Sequence, residues 1–362
     1  MASQITHALA GEAALGAASK ASALPAPDPE LGAFFRLGCQ GPDLFYHGQR
    51  SRPVSISLGT LVHRRGFGRL ARALIEDAVR EPDAPWTSFV LGFLTHAAVD
   101  RASHPFIVWF SGWHDPSRPE TARYAGCHAF LERALDAILL ERRLGLKPSR
   151  WSIAERLLPP GGVPRHFAAR LASALRAAYP ERLAADSLLE RRVANAFIDS
   201  EGFYRFTDPA AVSLSEAALA PWASLDPEAG RRAVAVLYPE GGLGDLDIAN
   251  RRRLPWAHPC DPARVDARDW FQLVEAAEEE AAGILALALD AFEAARSGAP
   301  ERELADRLDA LEREAGNGTL NVGDSSGKAA RPVACAPLPL PELMEAEFRV
   351  RRERVGGIPR RG

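Results

Sequence analysis

The stretch WTSFVLGFLTHAAVDRASHPFI, Trp86 to Ile107, decides how the rest of the chain is read. Over 86–101 its apolar residues recur at the spacing of an α-helix. Set among them, His96, Asp100 and His104 stand at i, i+4 and i+8. Four residues advance a helix by roughly 400°, so each step drifts only ~40° and the three side chains start on one face. Polar groups placed among Phe89, Val90, Leu91, Phe93 and Leu94 need partners or a metal ion, because unpaired burial is costly. Pro105 disfavours helical geometry at the residue before it, so the helix is expected to end with His104 at its rim.

Working outward, the same reading recurs. His128, Glu132 and Asp136 repeat the i, i+4, i+8 spacing inside the periodic segment 121–144. Helical periodicity also covers 66–80, 166–179, 183–199, 210–220, 226–238, 264–296 and 299–314. Only Val54 to Leu58 alternates as a strand would. Pro and Gly gather at 24–30, 40–53, 115–119, 157–164 and 239–262 and mark the breaks. The expectation is an all-α protein. Residues 1–150 form a metal-binding helical region, 151–314 add helices packed on the same domain, and 315–362 make an irregular C-terminal tail.

Composition narrows the function classes. The 362 residues suffice for one large domain or two ordinary ones. Hydrophobic residues at 47% and charged residues at 25% exclude wholesale disorder. The balance of 44 basic against 47 acidic residues argues against a nucleic-acid partner bound through a basic surface. Cys39, Cys127, Cys260 and Cys335 form no C-x-x-C pair, which sets aside thiolate zinc sites; Cys39 and Cys127 read as small buried apolar residues. No apolar run approaches the ~20 residues that span a bilayer. The N-terminal stretch lacks a basic n-region, so it is read as retained and the chain as cytoplasmic.

Histidine carries the functional signal. Seven of nine histidines (His7, His47, His63, His96, His104, His114 and His128) fall in the first 128 residues, where even scatter would put about three. Two helices that each present imidazole and carboxylate at i, i+4 match the inward-facing metal ligands of helical bundles. Imidazole with carboxylate and no thiolate suits zinc, iron or manganese, and several imidazoles per site favour zinc. Asp136, one turn past Glu132, is read as a partner orienting a ligand imidazole.

Six ordered elements extend this pattern: Thr6-His7; Phe35-Arg36-Leu37-Gly38 leading into Gly41-Pro42-Asp43-Leu44-Phe45-Tyr46; His63; Gly92 to Asp100; His104-Pro105-Phe106-Ile107; and His128-Ala129-Phe130-Leu131-Glu132. Together, over residues 5–136, they resemble the bacterial zinc-dependent phospholipase C family, whose wider relatives include the single-strand-preferring zinc nucleases. The resemblance implies an all-helical fold with a metal cluster in a cleft. It places one zinc among Asp43, His63, His96 and Asp100, and a second among His104, His128 and Glu132. A third zinc would use His7 and the second oxygen of Asp100. Asp43 would orient or deprotonate the attacking water.

The implied substrate is a phospholipid or a smaller phosphodiester, reached by peripheral membrane contact. Alternatives are a nuclease-like phosphodiesterase and a non-hydrolytic zinc-binding protein. Tyr46, His47, Trp113 and His114 are candidate substrate contacts, lying in or beside loops between ligand elements. Two departures stand out. Secreted members complete the third site with a mature N-terminal tryptophan, which this chain lacks, so two zincs are expected and the third site is weak. Choline-selective members carry a tyrosine directly after the loop aspartate; here the residue is Leu44. Gly323 to Lys328 resembles a phosphate loop only superficially, with three residues between its glycines where a P-loop needs four.

Overall fold

A computed structural model describes residues 3–21, 31–211, 227–239, 243 and 246–356. Helix accounts for 67% and strand for 3%, so the protein is all-α. Seven helices occupy the ligand-bearing part: α1 (Gln4–Ala21), α2 (Gly32–Cys39), α3 (Leu44–His47), α4 (Ile56–Arg64), α5 (Phe67–Arg80), α6 (Ala84–Ser111) and α7 (Cys127–Leu144). Then come α8 (Ile153–Leu157), α9 (His166–Ala178), α10 (Pro180–Leu183), α11 (Leu189–Phe206) and α12 (Pro227–Val234). A hairpin of β1 (Trp256–His258) and β2 (Asp261–Asp266) precedes α13 (Trp270–Arg296), α14 (Glu301–Ala315) and α15 (Leu340–Gly356).

Helix α6 is the axis of the molecule. Its apolar residues surround it on most sides, as expected of a helix buried in a core rather than laid on a surface. Helices α2, α13 and α1 pack along it, α5 and α7 flank it, and the hairpin covers its last turns. The crossing with α2 needs two glycines. A Cβ on Gly38 would stand 2.0 Å from the Phe89 carbonyl oxygen, and one on Gly92 would stand 2.0 Å from that of Phe35. Backbone therefore meets backbone at this crossing. Gly41 then turns the chain with φ +53°, its missing Cβ leaving room for the His96 ring.

Several boundaries differ from expectation. Helix α6 does not stop at His104: it carries Pro105 internally and continues to Ser111. Proline removes one helical hydrogen bond, and the last turns are held instead by packing. Phe106 meets Trp256 edge-on at 5.6 Å and Trp270 at 5.8 Å. The alternating stretch 54–58 enters α4, because Leu58 and Val62, four apart, bury one helical face. The first residues of 264–296 belong to β2, and α13 begins only after Asp269, which forms a capping box with Gln272. The 183–199 segment splits between α10 and α11. The helix expected over 210–220 falls almost wholly on 212–226, outside the described residues. The stretch 315–362, read as irregular, contains α15 and buries Leu320 and Val322.

Candidate metal centre

Asp100 sits at the middle of the site, buried at 2% exposure on the inner face of α6. Its Oδ1 lies 3.3 Å from His7 Nε2, and its Oδ2 lies 3.2 Å from His63 Nε2 and 3.1 Å from His96 Nε2. His63 Nε2 is also 3.1 Å from Asp43 Oδ1. The residues come from four elements: His7 from the first turn of α1, Asp43 from the turn after α2, His63 from the end of α4, and His96 from α6, one turn before Asp100. Beyond Asp100, His104 and the α7 pair His128 and Glu132 form a second set, with His128 Nε2 3.1 Å from Glu132 Oε1.

Among the described residues, three groups bring ligand atoms within 4.8 Å of one another: His7–His96–Asp100, Asp43–His63–His96 and His104–His128–Glu132. Donors held ~2.0–2.1 Å from tetrahedral zinc stand roughly 3.3–3.4 Å apart, close to the 3.1–3.3 Å separations seen here. Hydrogen bonds would give similar distances, so unpartnered atoms in the cluster are a second observation. Glu132 Oε2 and His7 Nδ1 are buried without a hydrogen-bond partner. A buried carboxylate oxygen with no donor calls for a cation.

Ring orientation points the same way. His63 Nδ1 donates to the Gly59 carbonyl at 2.8 Å, His96 Nδ1 to that of Cys39 at 3.3 Å, and His104 Nδ1 to that of Leu320 at 2.9 Å. A carbonyl only accepts, so each of these nitrogens carries the proton and each Nε2 offers a lone pair. For His63 that lone pair would face two carboxylate oxygens. A proton or a metal must lie between them.

Burial disfavours charge on every ring, and the carboxylates decide which rings resist. For His63, burial lowers the ring pKa, but the hydrogen bonds it donates to the Asp100 and Asp43 carboxylates, with their charge, outweigh burial and push it up to about 10. His7 is also raised, burial being overcome by Asp100. For His96 and His104 burial dominates and the ring pKa falls. Burial alone would raise Asp43 and Asp100, but the surrounding imidazoles hold both well below the usual carboxylate range. Glu132 is lowered too: burial raises it, but the neighbouring positive charges, with His128 first among them, together outweigh burial. Cys39 and Cys127 are buried, and burial pushes both thiols up to about 12, so neither supplies a thiolate at neutral pH.

Other candidates are placed differently. His47 is not in a loop facing substrate: it closes α3, is 8% exposed, stacks on Phe203 at 4.1 Å and bonds Ser200 Oγ at 3.1 Å. The α3 turn docks on α11, which turns that ring into the core. Tyr46 stays beside the site, its ring centre 5.0 Å from that of His63, while Phe45 is wholly buried. Trp113 and His114 are exposed in the loop joining α6 to α7.

Asp136 does not orient an imidazole. Its carboxylate accepts from Ile5 N (3.0 Å), Thr6 N (2.7 Å), Thr6 Oγ1 (2.7 Å), Tyr238 Oη (2.8 Å) and Ser3 Oγ. It thus satisfies first-turn N–H groups of α1, where an anion also complements the helix dipole. Asp136 therefore positions the helix that carries His7. No motif or periodicity points to Thr319 and Leu320, whose backbone and hydroxyl hold His63 and His104.

No family model, curated protein or solved structure matches this chain.

Proposed function

We propose that this protein is a zinc-dependent phosphodiester hydrolase resembling the bacterial zinc-dependent phospholipases C, acting on a phospholipid or a smaller phosphodiester. The observation that carries the reading is the pair of buried imidazole–carboxylate sets meeting on one face of α6, with Glu132 Oε2 left unpartnered. Asp43, His63, His96 and Asp100 would hold one zinc, and His104, His128 and Glu132 a second. His7, with the other oxygen of Asp100, would hold a weaker third. Zinc bound there would neutralise charge on phosphodiester oxygens and make water a nucleophile near neutral pH.

The protein's own groups then have defined tasks. Asp43 is ionised at neutral pH, its carboxyl held low by His63 and His96 against the effect of burial. So strongly acidic a group orients a water better than it removes a proton. His128 is the most exposed ligand, its side chain at 27%, which puts the solvent-facing side of the second set at the start of α7. Tyr46 beside His63 would line the approach. No helix among the described residues is long and apolar enough to cross a membrane, so a lipid substrate would be met at the bilayer surface.

The test is hydrolysis of a chromogenic phosphodiester, phosphatidylcholine vesicles and single-stranded DNA, with chelator and after zinc is restored. Activity on either of the first two that chelator abolishes is expected, with Asp100→Asn and Glu132→Gln lowering it by more than about 100-fold. Cleavage of DNA alone would shift the reading to a nuclease. No hydrolysis, with less than one transition metal per chain after zinc loading, would overturn it.

A further inference from the structure

The two ligand sets are joined by a segment nearly two hundred residues downstream of Glu132. The chain leaving α14 runs back along the start of α5. Gly66 N donates to Asn317 O at 3.0 Å, Gly68 N to Gly316 O at 2.7 Å, and Arg69 N to the Asn317 side chain at 3.0 Å. Arg101 Nη1, on α6 between Asp100 and His104, donates to the Ala315 carbonyl at 2.9 Å. Residues 315–317 are thereby fixed to both α5 and α6.

The next turn reaches the ligands themselves. Leu320 N donates to the main-chain carbonyl of His63 at 2.8 Å, and Thr319 Oγ1 donates to that same oxygen at 3.0 Å. The Leu320 carbonyl accepts from His104 Nδ1 at 2.9 Å. The Thr319 hydroxyl also accepts from Asn321 N at 3.2 Å, so it braces the turn on both sides of Leu320. Leu320 is wholly buried and Thr319 is 7% exposed. Hydrogen bonds this buried are made at fixed geometry, without competition from water.

We propose that Thr319 and Leu320 form a positioning clamp that couples the two ligand sets, holding the end of α4 at His63 while fixing the His104 ring with Nε2 toward His128 and Glu132. This inference rests on the proposed metal-binding reading. Partners that orient a ligand imidazole typically change metal affinity 10–100-fold when lost. A clamp shared by His63 and His104 should loosen both sets together, although the side chain removed touches neither imidazole.

The variants are Thr319→Val, which keeps the shape and deletes the hydroxyl, and Thr319→Ser, which restores it. Zinc affinity is read by competition against a chromophoric chelator, beside thermal melting of the metal-free proteins. Thr319→Val should weaken both zinc equivalents by about 10–100-fold, leave metal-free melting close to wild type, and be rescued by Thr319→Ser. Unchanged affinity, or a loss matched by the Ser variant, would overturn the clamp. So would a lower metal-free melting temperature with unaltered affinity, the pattern of a purely structural hydroxyl. If the wild type takes up no zinc, the proposed function fails, and the clamp is then decided on metal-free protein by imidazole 15N shifts. His104 protonated on Nδ1 in wild type, and mixed in Thr319→Val, supports the clamp. His104 protonated on Nε2 refutes it.

Discussion

His47 shows how far a single residue's environment can depart from its sequence context. Eight positions along from Cys39 and next to Gly48, it reads as a loop histidine open to substrate, but nothing local reports Ser200 or Phe203, which lie more than 150 residues away. Burial pushes its ring pKa down to about 3 from an ordinary 6.5. The folded protein therefore refuses a proton that the unfolded chain accepts. Stability from this group is complete above pH ~6.5 and falls by ~1.4 kcal/mol per unit as pH drops toward 3. His47→Phe should thus move the acid-unfolding midpoint to lower pH, measured by far-ultraviolet circular dichroism; an unmoved midpoint would show that another group controls acid unfolding. His7 poses a different question. Its Nδ1 has no carbonyl to orient it, unlike those of His63, His96 and His104. His7→Ala should lose no more than one zinc, and its hydrolysis should recover partly as zinc is added. Loss of all bound metal would mean that His7 belongs to the principal set.

At the scale of elements, the α2–α6 crossing governs where Asp43 falls. Gly92→Ala would place a methyl 2.0 Å from the Phe35 carbonyl oxygen, and backbone cannot rotate aside as a side chain can. Overpacking of this kind costs about 1–3 kcal/mol or more, and here it also lifts α2 and the Asp43 turn away from His63. Denaturant titration and zinc content should fall together in this variant. Gly16→Ala, with nothing within 4 Å of the new methyl, should instead stabilise α1 by about 0.5–1 kcal/mol. Equal effects would dismiss the crossing as the cause. Ligand-bearing helices were legible because their period and their His–carboxylate spacing lie within one or two turns of the same segment. Continuation through Pro105 was not, since it depends on Trp256 and Trp270 pressing on Phe106 from elements far along the chain. Asp136 was legible as a buried partner but not for its target, because i+4 spacing from Glu132 does not reveal that α1 begins above it.

For the whole molecule, the proposed metal reading ties ion binding to the fold. Eight donor residues on four helices and one turn converge at Asp100 and Glu132, so the proposed zinc, binding only the folded chain, would stabilise it by mass action. At a free zinc concentration a thousandfold above the dissociation constant the gain is about 4 kcal/mol. Chelator should therefore lower the melting temperature, zinc should restore it, and as-purified protein should carry about two equivalents. Melting indifferent to both treatments would break the linkage. Thr319 and Leu320 escaped sequence reading for a plain physical reason. They act mostly through main-chain atoms, and a backbone carbonyl leaves no signature in residue type or period.

That contact also orders events during synthesis. All the donor side chains have left the ribosome once residue 132 emerges, yet the carbonyl that orients His104 belongs to residue 320. Between those two moments the nascent chain displays imidazoles and carboxylates with no means of fixing the His104 tautomer. The proposed zinc, met that early, would find donors whose geometry the turn at Leu320 has not yet set. A circular permutant that begins near residue 300 would reverse this sequence, translating the orienting turn before any ligand.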